Sequence, residues 1–189
     1  AESLINLGRI SQDLGKLEEA LKYYKQAYVM SQALYTGNHP HIATLLSNIG
    51  TVYQSLGKNE AALEYFKQAL KMRQALYTGY HPDIANSFNN IGRFYTDLGY
   101  GQVGIKYYKE ALRIYQIIYP DNQHPKVSIT FNNLGASYAN LGDTGEALKY
   151  YEQALKINQV LYTGYHPHIA NSLDNIGNVY ATLEHTQKA

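Results

Sequence analysis

The chain has no cysteine and no tryptophan among its 189 residues. Without thiols it can form neither a disulfide framework nor a thiolate metal site. That is compatible with a reducing compartment, and a cytoplasmic location is expected. A strong excess of one charge is also missing. The formal net charge is +1 at pH 7, which gives no support to a nucleic-acid or anionic-membrane surface. No apolar run approaches the ~20 residues a membrane-spanning helix needs, and the N-terminal residues lack a signal-peptide layout. No nucleophile–base pair, phosphate-cradling glycine loop or paired-carboxylate constellation is visible. Composition therefore points to a protein that is not an enzyme and needs no cofactor. It does not point to disorder, because 45% of the residues are hydrophobic and 16% charged.

What the chain does contain is repetition. Residues 76–92 read LYTGYHPDIANSFNNIG, and residues 161–177 read LYTGYHPHIANSLDNIG. Residues 34–50 read LYTGNHPHIATLLSNIG, and residues 118–135 read IYPDNQHPKVSITFNNLG, with one extra residue. Gly8, Gly50, Gly92, Gly135 and Gly177 are 42, 42, 43 and 42 residues apart. A fixed period of this size indicates stacked copies of one supersecondary unit. Units of about 1–37, 38–79, 80–121, 122–164 and a partial 165–189 make one array. Both ends cut through a unit, so a fragment of a longer array is expected.

The second unit shows the pattern. Pro40 suits the first turn of a helix. Ile42, Leu45, Leu46, Ile49, Val52, Tyr53 and Leu56 follow at helical spacing. Gly57 can stop that helix in the left-handed conformation. A second stripe runs through Ala62, Leu63, Phe66, Ala69, Leu70 and Leu76. Each unit is thus two antiparallel helices, A then B. Gly50 and its equivalents lie in mid-helix, where glycine is unfavourable by up to ~1 kcal/mol against alanine. Their recurrence predicts close approach of helix B, with Tyr24, Phe66, Tyr108 and Tyr151 as the large partners. Gly101 and Gly104 are expected to loosen the start of the third helix B.

Asn-Ile-Gly-x-x-Tyr at 48–53, then Leu56-Gly57, Ala62, Phe66 and Ala69, resembles the tetratricopeptide repeat. A 42-residue unit entered by His-Pro resembles the subclass found in kinesin light chains and nephrocystin-like proteins. The resemblance covers essentially the whole chain. It implies an all-α, right-handed superhelical solenoid with the A helices lining a concave face, and protein–protein interaction as the function.

Helix A carries one polar residue without exception: Asn6, Asn48, Asn90, Asn133 and Asn175, each two residues before the glycine. Asparagine is a mediocre helix former, but its amide both donates and accepts. That suits the backbone of an extended peptide. In peptide-binding members of the resembled family, asparagine at this place holds the ligand backbone. The competing explanation is that each asparagine bonds the neighbouring helix and sets the inter-repeat angle. Asn86, Asn89, Asn132 and Asn171 lie in flanking rows where specificity would be set. Arg9 and Arg93 are cations in that amide-rich surface, so an acidic or C-terminal-carboxylate peptide is the expected ligand class.

His39, His81, His124 and His166 begin the His-Pro steps, with His41 and His168 nearby. No third ligand is placed to complete a metal site, so helix entry and loop packing explain them better. The tyrosine pairs 23–24, 107–108 and 150–151 fit core positions, one member between A and B and the other toward the next unit. Two alternatives to peptide binding stay open. Near-identical units without polar capping helices could stack end to end into a self-assembling scaffold. The array could also regulate a larger multidomain protein.

Overall fold

Each A helix after the first begins at a histidine. In the computed structural model, which describes residues 1–188, His39, His81 and His124 occupy the N-cap position with extended backbone. In each the imidazole Nδ1 accepts from the backbone N–H two residues on: His41 at 3.2 Å, Asp83 at 3.1 Å and Lys126 at 3.1 Å. His166 does the same for His168 at 3.2 Å. This satisfies one of the donors that a helix start leaves without a partner. The proline between them fills the next position at no loss of a hydrogen bond. A tyrosine five or four residues upstream lies flat on the ring, with centroids 3.5 Å apart for Tyr35–His39, 3.8 Å for Tyr119–His124 and 3.7 Å for Tyr162–His166. The His-Pro step is therefore a cap, stacked in place.

The chain divides into two compact units, residues 1–79 and 80–189. The first holds α1 (Glu2–Asp13), α2 (Leu17–Leu34), α3 (Pro40–Ser55) and α4 (Asn59–Leu76). The second holds α5 (Pro82–Asp97), α6 (Gly101–Ile118), α7 (Pro125–Asn140), α8 (Thr144–Leu161) and α9 (Pro167–Lys188). No strand occurs among the described residues. Within each unit every helix packs on its sequence neighbours, so helices pair as A and B and the pairs stack in order.

The A–B turns close with glycine. Gly57 has φ of +71°. Its N–H donates to Gln54 O at 2.9 Å, and the Lys58 N–H donates to Tyr53 O at 2.9 Å. This pair of bonds needs a left-handed residue, which glycine supplies without steric penalty. Where Glu184 stands in place of that glycine, α9 does not turn and runs for 22 residues. The third helix B is not loosened by its glycines. Helix α6 starts at Gly101 and has the same 18 residues as α4 and α8. A Cβ on Gly104 would lie 2.8 Å from Gly92 O and would meet the Thr96 hydroxyl. Thr96 uses that space to donate to Gly92 O at 3.0 Å, so the glycine is there to admit the hydroxyl.

Four of the five mid-helix glycines pack as their recurrence predicts, and Gly177 does not. A Cβ on Gly8 would stand 2.7 Å from the Tyr24 ring, on Gly50 2.9 Å from Phe66, on Gly92 2.8 Å from Tyr108 and on Gly135 2.7 Å from Tyr151. Tyr24, Phe66, Tyr108 and Tyr151 are all buried. Burial raises the Tyr108 hydroxyl pKa to about 12, so it stays a neutral phenol. The companion tyrosines stack within their own pair: Tyr95 on Tyr107 at 5.6 Å and Tyr138 on Tyr150 at 5.5 Å. The preceding pair instead reaches the helix A tyrosine through lysine. Lys25 Nζ donates to the Tyr53 hydroxyl at 2.7 Å, and Lys109 Nζ lies 5.6 Å from the Tyr138 centroid.

The cap makes a pH prediction. Burial, and then the nearby Lys126 charge, lower the His124 pKa below its usual 6.5. Its contribution is fully present above the unfolded value and is lost as pH falls through the lower folded value. Protonation also removes the Nδ1 lone pair that makes the cap. Thermal unfolding should move to lower temperature as pH falls below about 6.5. His124→Asn, which keeps a capping acceptor, should show a shallower pH dependence than the parent. Equal slopes for the two proteins would exclude the imidazole cap as a source.

Candidate functional site

A residue two positions before a mid-helix glycine points about 200° around the helix from it. The glycine faces helix B, so the asparagine of the ladder must face away from that contact. The structure bears this out by exposure. Asn6 is exposed, and Asn48, Asn90, Asn133 and Asn175 are partly exposed, whereas the glycines at 8, 50, 92 and 135 are buried. In residues 1–79 the ladder brings Asn6 of α1 beside α3. Asn6 lines an open cavity of about 300 Å³ together with Glu2, Ile5, His41 and Thr44. In residues 80–189 the ladder continues on α5, α7 and α9. Arg9 and Arg93 are exposed on the same helices.

Among the described residues, none of the five ladder side chains makes a hydrogen bond within the chain. The flanking candidates behave differently. Asn86 accepts from the Tyr115 hydroxyl at 2.8 Å, and its Nδ2 lies 3.5 Å from Asp83 Oδ1. Asn89 donates to Thr130 Oγ1 at 2.9 Å and so joins α5 to α7. Both amides are committed to the fold. The Oδ1 atoms of Asn89 and Asn132 are buried without a partner among the described residues. Asn171 is exposed.

Sequence reasoning missed a buried polar position on helix B, which in its last copy, Asn158, ties one pair to the next. Ser31, Arg73, Tyr115 and Asn158 are equivalent in the repeat, one per helix B, and all are buried. Tyr115 makes the bond to Asn86. Asn158 Oδ1 accepts from Ser128 Oγ at 2.7 Å, and its Nδ2 donates to Ser172 Oγ and His168 O, both at 3.1 Å. Thr96 and Ser137 hydroxyls also meet at 3.1 Å between α5 and α7. Four different residue types at one position carry no common hydropathy signal. Only their place on the apolar stripe, seven residues after Tyr24, Phe66, Tyr108 and Tyr151, could have marked them.

No group of three His, Asp or Glu side chains able to hold a metal ion occurs among the described residues. No described helix is long and apolar enough to cross a membrane. Chemically, the A helices offer hydrogen-bonding amides in each unit, with one exposed guanidinium, Arg9, in residues 1–79 and another, Arg93, in residues 80–189.

Comparison with known proteins agrees with the fold. The tetratricopeptide repeat model matches residues 1–75, 83–159 and 126–189. The crystal structure of BtubC (BKLC) from P. vanneervenii superposes with a TM-score of 0.82 at 26% identity, over 100% of this chain and 74% of that one. The crystal structure of a Podosopora anserina putative kinesin light chain with nearly identical TPR-like repeats gives 0.79 at 21% identity, over 99% of this chain and 88% of that one. A singly substituted form of that same protein gives 0.80 with the same identity and coverage. No functionally curated protein matches significantly. With helix pairs, left-handed turn glycines, ring-covered mid-helix glycines and a family match along the chain, this protein belongs to the tetratricopeptide repeat family, and its fold is like that of the kinesin light chain-like repeats.

Proposed function

We propose that the array is a cytoplasmic peptide-binding module, and that an extended segment of a partner protein lies along the A helices. The observation that carries this reading is the contrast between two sets of amides. The bonds that join successive helix pairs are made by Asn89, Thr96 and Asn158. The ladder of Asn6, Asn48, Asn90, Asn133 and Asn175 takes no part in them. An explanation of the ladder as an inter-repeat strut therefore has no bonds to point to among the described residues. An amide held on a rigid helix with both its donor and its acceptor available suits a peptide backbone, whose groups alternate in the same way. Arg9 and Arg93 add a preference for carboxylate-bearing ligands. Members of the family serve in general as interaction modules and not as catalysts.

A random peptide library displayed against the intact chain tests this reading. Enriched sequences should be rich in Asp and Glu or end in a free carboxylate. Arg9→Ala with Arg93→Ala should weaken them about tenfold, and less at high salt, where surface charge is screened. Neutral enriched sequences, unaffected by those changes, would remove the acidic preference.

A second reading has its own observation. Leu7, Ile10 and Leu14 of α1 are 43%, 51% and 67% exposed, whereas Ile49 and Val52, the equivalents of the first two in α3, are fully buried. An uncovered apolar stripe of this kind favours self-association. Light scattering against concentration decides it, because a strict monomer removes the scaffold reading.

A further inference from the structure

A pocket of about 420 Å³ opens between α6 and α8, on the helix B side and away from the asparagine ladder. Its apolar lining is Phe131, Ile157 and Val160, and its polar lining includes Gln116, Asn122 and Lys156. The volume suits an amino-acid side chain or a small ligand. In one copy of the repeat a tyrosine fills such a groove, where the other copies have Leu70, Leu112 and Leu155. At the equivalent groove between α2 and α4, the tyrosine Tyr28 packs on the cluster of Ile42, Leu46 and Ala69, with Met72 beside it. Gln32 Nε2 donates to the Tyr28 hydroxyl at 2.9 Å. Two units further on, Phe131 stands for Leu46, Ile157 for Met72 and Gln116 for Gln32. The tyrosine alone has no counterpart, because Leu112 occupies its position.

Two further features set this groove apart. The loop above it, between α6 and α7, has the extra residue of the fourth unit, and there Asn122 adopts a φ of +59°. The Oδ1 of Asn122 is buried with no hydrogen-bond partner among the described residues, a state that buried acceptors rarely keep without a ligand. The Gln116 side chain makes no hydrogen bond within the chain among the described residues either. The pocket thus has the floor and the amide of a tyrosine site, without the tyrosine.

We infer that the pocket between α6 and α8 receives a tyrosine side chain presented by a partner polypeptide, with its ring on Phe131, Ile157 and Val160 and its hydroxyl accepting from Gln116. This site is independent of the A-helix face.

The test uses the intact ¹⁵N-labelled chain and N-acetyl-tyrosinamide as probe. Amide shifts should concentrate at Gln116, Asn122, Phe131, Lys156, Ile157 and Val160. N-acetyl-phenylalaninamide, lacking the hydroxyl, should bind about fivefold more weakly, and Gln116→Ala should bring the tyrosine probe to the same level. Leu112→Tyr with Phe131→Leu copies the Tyr28 and Leu46 pair and should fill the pocket, so the shifts disappear while the melting temperature is kept. Shifts scattered over the surface, shifts that persist in the filled variant, or indifference to Gln116→Ala would each overturn the inference. So would loss of the shifts on Asn48→Ala with Asn90→Ala, which would place the probe on the other face.

Discussion

Gly92→Ala is expected to destabilise the array by about 2–3 kcal/mol, although alanine is the better helix former by up to ~1 kcal/mol. The new methyl would stand 2.8 Å from two atoms of the Tyr108 ring. That ring is buried between α5 and α6 and cannot swing into solvent. Either the helices separate or the ring leaves its rotamer, and both are unfavourable in a packed core. Gly177→Ala gives the opposite sign. Nothing lies within 4 Å of a Cβ at that position, so only the gain in helix propensity remains and stability should rise by a few tenths to ~1 kcal/mol. Gly92→Ala with Tyr108→Leu should lose less than the sum of its two parts, because shortening the ring makes room for the methyl. Urea unfolding followed by circular dichroism measures all three. Equal effects at Gly92 and Gly177 would mean that the glycines reflect duplication and not packing.

The second large effect is expected at Asn158. Its amide bonds Ser128 of α7, Ser172 of α9 and the His168 carbonyl, in a site that is 2% exposed. Asn158→Leu keeps the volume but removes three hydrogen bonds at the junction of three helices. The expected loss is about 2–4 kcal/mol, since buried bonds contribute about 1 kcal/mol each and a broken network leaves polar groups unsatisfied. The loss should be local, because repeat arrays are stabilised through nearest-neighbour contacts. Hydrogen exchange should show α9 losing protection while α1 to α4 keep theirs. Uniform loss of protection along the chain would contradict a junction role.

How much of this could be read in advance follows from what repetition preserves. The period, the helix pairs, the turn glycines and the glycine–ring contacts recur at constant spacing, so they stood out from residue types alone. The His-Pro step was legible as a helix entry, but its mechanism was not. Histidine is an unusual N-cap, and the stacking tyrosine lies across a loop. Positions flanking the ladder vary between copies, and there periodicity says less. Asn86 and Asn89 look like Asn90 in the sequence, yet Tyr115 and Thr130, 29 and 41 residues away, commit them to the fold. The Ser31, Arg73, Tyr115 and Asn158 position escaped notice for a related reason. It is constant in burial but not in chemistry, and hydropathy reads chemistry.

The central claim is that the ladder amides serve a ligand and not the fold. It is tested most directly by calorimetry with a peptide enriched from the displayed library, on the parent chain and on Asn48→Ala with Asn90→Ala. These side chains make no bond within the chain among the described residues, and alanine favours the helix. The variant should therefore match or exceed the parent in melting temperature and bind the peptide at least about tenfold more weakly, as loss of two hydrogen-bonding amides requires. Unchanged affinity, or a lower melting temperature with unchanged affinity, would contradict the claim and return the ladder to a structural role.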